Sequence, residues 1–114
     1  MTERHWSESV ACAWLEQRDL RLLEGNYNTR FGKIDLIMTD GDNVVFGEVR
    51  QRTSSRFGTL AETVNKQKRQ RLQKAVAHYL QRTHWDNGAP YRFDVIAIEG
   101  DRANAWIDWI KNAF

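Results

Sequence analysis

Two short stretches put acids and bases where strands are expected. In "VVFGEVRQR", Val44 to Arg52, an apolar run carries Glu48 and Arg50 two residues apart; in "KIDLIMT", Lys33 and Asp35 have the same spacing. Side chains alternate along a strand, so each pair shares a face. The turn signal "DGDN" lies between the two runs. A two-residue loop at Gly41-Asp42 pairs Asp40 with Asn43, and a four-residue loop pairs Thr39 with Val44. Both give one register, in which Asp35 faces Glu48 and Lys33 faces Arg50. A three-residue loop, or a two-residue loop at Asp40-Gly41, gives another.

Directly opposed carboxylates repel, and a metal ion between them reverses that sign. Mg²⁺ is commonly held by one or two carboxylates, with water and phosphate oxygens completing its shell. Two carboxylates and a cation beside a basic segment are the parts of metal-assisted phosphodiester hydrolysis. The metal polarises the phosphoryl oxygen and acidifies bound water, and the cation stabilises the charge that develops. The competing reading is a surface network in which Lys33 and Arg50 neutralise Asp35 and Glu48.

The charge distribution favours a polyanion partner. Between Arg50 and Arg82 nine basic residues stand against the single acid Glu62, a net of +8, while the remainder has eight bases and fourteen acids, a net of −6. A solvated helix face normally mixes signs to gain i,i+4 pairs, and this one does not. A concentrated basic segment in a chain of net charge +2 points to nucleic acid. The single cysteine, Cys12, excludes an intrachain disulfide and is expected to pack inside a helix face. No apolar run approaches bilayer length, and "MTERHWSESV" carries charge where a signal peptide needs apolar residues, so a cytoplasmic location is expected.

The elements that must position these groups follow from periodicity. With 114 residues the chain fits one domain. A helix is expected from Glu3 to Arg18, with Trp6, Val10, Ala11, Ala13 and Trp14 as its apolar stripe. "DLRLLEGNYN" reads as a short strand and turn, followed by the two charged strands and the loop "QRTSSRFG". Thr59 to Glu62 has capping-box form, although the helix it announces could begin later; that helix ends near Arg82 and buries Val64, Leu72, Val76, Tyr79 and Leu80. "RFDVIAI" is a strand, and "AWIDWIKNAF" a last strand or short helix. The order α-β-β-β-α-β plus a C-terminal element predicts an α/β fold with a mixed sheet flanked by helices.

Several motifs in one order resemble the YraN-like family of small uncharacterised bacterial proteins. They are "SESVACAWL" with Glu8, "RFGKIDLI", "VFGEVRQRTSSRFG", "VNKQKRQRLQKAVAHYL" and "YRFDVIAI", and together they cover nearly the whole chain. That family is regarded as a branch of the PD-(D/E)XK nuclease superfamily, close to archaeal Holliday junction resolvases. The resemblance implies a restriction endonuclease-like core and a Mg²⁺- or Mn²⁺-dependent endonuclease acting on structured or branched DNA. It implies that Asp35 and Glu48 are metal ligands, with the Val49 carbonyl a further one and Glu8 completing the acidic cluster. Arg50 stands at the usual lysine position, where it cannot act as a base but can stabilise charge. Lys33 stands where the family usually has glutamate. Gln67 falls on the helix that flanks the active site.

Nucleic-acid contacts are expected from Lys33, Arg52, Arg56, Lys66, Lys68, Arg69 and Arg71. Arg52 and Arg56 are the better placed for phosphates near the site, and Lys68 falls near the apolar stripe with its stem buried. His5, His78 and His84 lack metal-ligand spacing and are given surface or local hydrogen-bonding roles. Trp6 and Trp14 are assigned to the core, Trp106, Trp109 and Phe114 to core or a dimer contact, and Asp94 to a structural role, paired with Arg92 or with a core arginine. A homodimer is expected by analogy with resolvases. Two other classes stay open: a non-catalytic nucleic-acid-binding module on the same fold, and a protein-interaction domain whose basic helix meets an acidic partner.

Overall fold

A computed structural model describes residues 5–52 (Arg52 in backbone only), 65–85 and 88–114. Helix α1 (Trp6–Glu16) precedes three strands, β1 (Arg21–Thr29), β2 (Gly32–Asp40) and β3 (Asn43–Arg52). Helix α2 (Lys66–Arg82) then leads to β4 (Tyr91–Glu99) and β5 (Trp106–Ile110). The strands form one sheet in sequence order, antiparallel except where β3 lies parallel to β4. The fold is α/β with a mixed sheet, as the periodicity predicts, and the C-terminal element is a strand. No helix of the described residues is long and apolar enough to cross a membrane.

Alternation sends the sheet's apolar side chains to two layers. Ile37, Phe46, Phe93 and Val95 pack with Leu72, Ala75, Val76, Tyr79 and Leu80 of α2. Leu36, Met38, Val45, Ile96 and Ile98 pack with Ala11, Cys12 and Leu15 of α1. The expected α2 stripe is therefore buried, apart from Val64, which lies outside the described residues together with the Thr59 to Glu62 capping box. The helix is capped instead by Asn65, whose side chain accepts the Lys68 backbone N–H at 2.8 Å. Asn65→Ala is expected to cost about 1 kcal/mol of stability, with Asn65→Asp close to wild type; urea unfolding of the three proteins checks this.

The α1 stripe needs correction. The helix is shorter than expected, and it buries Ser7, Glu8, Ala11, Cys12 and Leu15 while Ala13 is exposed and Trp14 half-buried. Trp6 and Trp14 pack at the margin of that layer, and Trp14 meets Trp109 edge-on at 5.8 Å. His5 caps α1 by accepting Ser7 N–H. The first strand is longer than expected: "EGN" does not turn the chain but sits inside β1, where Asn26 takes a positive φ of 51°.

The β2–β3 turn fixes the register that the site depends on. Asp40 pairs with Asn43 around Gly41-Asp42, and Gly41 has the positive φ of 61° that a two-residue hairpin needs at its first loop position. The predicted register holds from that pair to Leu36–Gly47, where the pairing ends. Beyond it β2 continues against β1 and β3 against β4. Asp35 and Glu48 are the first residues past the split.

Candidate active site

At the split, the Asp35 carboxylate takes over part of the lost ladder: its Oδ2 accepts the Val49 N–H at 2.9 Å. Glu48 projects to the α2 side with Phe46, while Val45 and Val49 pack on the α1 side. Glu8 reaches the site from α1. The side chains of Glu8, Asp35 and Glu48 are each only 8% exposed, which is rare for carboxylates unless they are paired.

Among the described residues, three cations meet them. Lys33 Nζ lies 3.1 Å from Glu8 Oε1 and 3.3 Å from Asp35 Oδ1. Lys68 Nζ lies 2.7 Å from Glu48 Oε1. Arg50 Nε is 3.4 Å from the same oxygen, an ion pair without hydrogen-bond geometry that leaves Nε buried and without a hydrogen-bond partner among the described residues. Extending the register would set Lys33 opposite Arg50; because the ladder stops short, each turns to a carboxylate instead. Glu8 Oε2 is also buried and unpartnered.

The electrostatics follow from this crowding. Burial, and then the charge of Asp35, push the Glu48 carboxyl above its ordinary value; Lys68 and Arg50 oppose the shift without cancelling it. Burial alone would lower the Lys33 ammonium. The hydrogen bond to Glu8 and the charge of Asp35 outweigh burial and raise it. The Asp35–Glu48 pair thus carries a like-charge cost that a cation bound between them would relieve.

The pair opens into a cleft of about 410 Å³ lined by Phe31, Lys33, Asn65, Gln67, Lys68 and Arg71. The N-terminal end of α2 sits at this cleft, and its first turn holds no acid. Free backbone N–H groups at a helix N-terminus favour anions, so the cleft joins an acidic floor to a rim that attracts phosphate.

Of the expected nucleic-acid contacts, Lys33, Lys68 and Arg71 line the cleft. Lys66 is exposed at the first position of α2, and Arg69 lies over the Phe114 ring at 5.2 Å, away from the cleft. Arg56 and the side chain of Arg52 fall outside the described residues. Glu8 is separated from Asp35 by the Lys33 ammonium. Among the described residues, no three His, Cys, Asp or Glu side chains are grouped to hold one metal ion. The donor set that could hold a hard divalent cation is therefore Asp35 and Glu48, all oxygen, with Val49 fixed beside them.

The pairing of Lys68 with Glu48 is what the sequence reading missed. Its signal was present: Lys68 stands four residues before Leu72 and eight before Val76, on the stripe that α2 turns to the sheet.

His78 and Asp94 take structural roles, and His84 is exposed. His78 shares a 2.6 Å hydrogen bond with the Tyr27 hydroxyl, which also accepts from Arg82. Asp94 binds Arg92, the Trp109 indole and the Asn112 N–H. Trp109 and Phe114 pack against the core, Phe114 stacking on Phe93 at 4.6 Å, whereas Trp106 is exposed.

Fold and cleft together define a small α/β protein with a buried acidic pair at the split of a mixed sheet, beside a basic helix end. More narrowly, the chain belongs to the uncharacterised protein family UPF0102, which residues 7–98 match. It is 50% identical to a UPF0102 protein of Nitrosomonas europaea over 108 residues, 95% of this chain and 89% of the relative. A Shewanella loihica member is 43% identical over all 114 residues, covering 95% of that relative. A Legionella pneumophila member is 40% identical over 109 residues, 96% of this chain and 91% of the relative.

Proposed function

We propose that this protein is a divalent-metal-dependent endonuclease of the PD-(D/E)XK type that hydrolyses phosphodiester bonds in structured or branched DNA. The observation that carries this reading is that Asp35 and Glu48 are both buried at the sheet split and both line one cleft with a cationic rim. Mg²⁺ or Mn²⁺ would be held by both carboxylates and the Val49 carbonyl. When bound, it would polarise a phosphoryl oxygen and acidify a water.

The chain's own residues do the rest. Val49 N–H fixes the Asp35 carboxylate. Arg50, permanently charged, stabilises negative charge next to Glu48 but takes no proton. Lys68, Arg71 and the α2 N-terminus hold the flanking phosphates, with Arg52 and Arg56 as further candidates from the connection after β3.

Arg71→Ala is expected to weaken DNA binding at all sequences and to lower the slope of log K against log salt by roughly 0.9. Fluorescence anisotropy across a salt series checks this. The reading itself is tested with linear, flapped and four-way DNA. Mg²⁺-dependent cleavage that prefers the branched forms supports it. Cleavage that persists in chelator, or is absent with every substrate and metal, contradicts it.

One observation favours a second reading, a nucleic-acid-binding module without catalysis. Lys33 and Lys68 already neutralise the acids in this structure. That reading is supported if the protein binds branched DNA in a salt-dependent way yet neither cleaves it nor binds Mg²⁺.

A further inference from the structure

The acids and the ammonium groups that neutralise them are anchored differently. Asp35 and Glu48 are buried on strands in the middle of the sheet, and Glu8 is buried on α1. The Lys33 side chain is 43% exposed and that of Lys68 39%, and both line the open cleft. Each lysine reaches its carboxylate on a four-carbon stem from the solvent side. An ammonium group so placed can swing outward to a phosphate at little cost, whereas the carboxylates cannot follow. Lys33 is the more consequential because it bridges two acids at once. Its departure would strip the partner from Oε1 of Glu8, whose Oε2 is already buried and unpartnered.

Resting on the metal-site reading above, we propose that Lys33 is a displaceable internal counter-ion, so that divalent-cation binding and nucleic-acid binding are positively coupled. Without nucleic acid, the Lys33 ammonium competes with a cation for Asp35. A backbone phosphate entering the cleft draws Lys33 away, which frees Asp35 and leaves Glu8 and Asp35 in need of positive charge. The cation then binds more tightly, and by linkage nucleic acid binds more tightly when the cation is present. The consequence is an acidic site that takes up metal chiefly when a phosphodiester is present.

Calorimetry with Ca²⁺, combined with anisotropy of a labelled four-way DNA with and without Ca²⁺ at constant ionic strength, tests this on the full chain. For wild type, Ca²⁺ is expected to tighten DNA binding about tenfold, within the usual range of such coupling. Lys33→Gln, which keeps the stem and removes the charge, is expected to bind Ca²⁺ roughly tenfold more tightly without DNA and to lose most of the coupling. Ca²⁺ affinity that is abolished by Asp35→Asn but unchanged or weakened by Lys33→Gln would overturn the counter-ion role and leave the metal site standing. Ca²⁺ binding that is absent, or indifferent to Asp35→Asn, would overturn both.

Discussion

Asp94→Ala is expected to remove about 3–5 kcal/mol of folding stability, the cost of stranding one member of a buried ion pair. The carboxylate is 0% exposed and every oxygen is engaged. Arg92 Nε donates to both oxygens at 3.0 and 3.2 Å, Trp109 Nε1 donates at 2.9 Å, and the Asn112 N–H donates at 2.9 Å. Arg92 also reaches Asp40 at 2.9 Å, so one side chain ties β4 to the end of β2. Removing Asp94 leaves the Arg92 Nε–H, an indole N–H and a backbone N–H without their acceptor. The C-terminal segment should loosen too, because Asn112 adjoins Ala113, whose N–H bonds Phe93. The expected fall in melting temperature is roughly 10–20 °C. Asp94→Asn, which keeps shape and one carbonyl acceptor, should lose less. Urea unfolding followed by tryptophan fluorescence measures all three proteins; a loss below about 1 kcal/mol in Asp94→Ala would refute this account of the network.

The second large effect is catalytic. Asp35→Asn is expected to lower Mg²⁺-dependent cleavage by about 10²–10⁴-fold, since metal stabilisation of a phosphoryl transition state is worth several kcal/mol. Folding should survive. Asparagine keeps an oxygen that can accept the Val49 N–H, and its neutrality removes repulsion from Glu48. The ion pair it forfeits is with a lysine 43% exposed and so contributes little. The combination of lost cleavage with an unchanged or slightly raised melting temperature separates a metal-binding role from a structural one. Cleavage within a few-fold of wild type would remove Asp35 from the site.

These effects were legible in the sequence to different degrees, for physical reasons. The β2–β3 register could be read because "DGDN" admits few turns and Gly41 supplies the required positive φ. That register ends one pair short of the expected Asp35–Glu48 pairing, yet both acids still line one cleft. It misled for Lys33 and Arg50, because nothing in a hairpin pattern says where two strands part company to follow different neighbours. The Lys33–Glu8 and Lys68–Glu48 contacts join strands to α1 and α2, and tertiary packing alone sets those distances. On α1 the expected residues Ala11 and Cys12 are inside and Trp6, Val10 and Trp14 pack at the margin, but Ala13 is exposed while Leu15 and Glu8 are buried, because the face turned to the sheet is centred on Glu8, Ala11, Cys12 and Leu15. Asp94 was assigned a structural role from the sequence, with Arg92 as one of two possible partners, but Trp109 and Asn112 as further donors depended on β5 folding back against β4.

The claim on which the functional reading turns is that Asp35 and Glu48 act together through one cation. Crystals grown with Mn²⁺ and a phosphorothioate-blocked four-way DNA would show it directly in an anomalous difference map. The account predicts one peak in the cleft, about 2–2.5 Å from carboxylate oxygens of both Asp35 and Glu48, with the Lys33 ammonium withdrawn towards a phosphate. A map with no peak in the cleft, or a peak touching only one of the two acids, would contradict it.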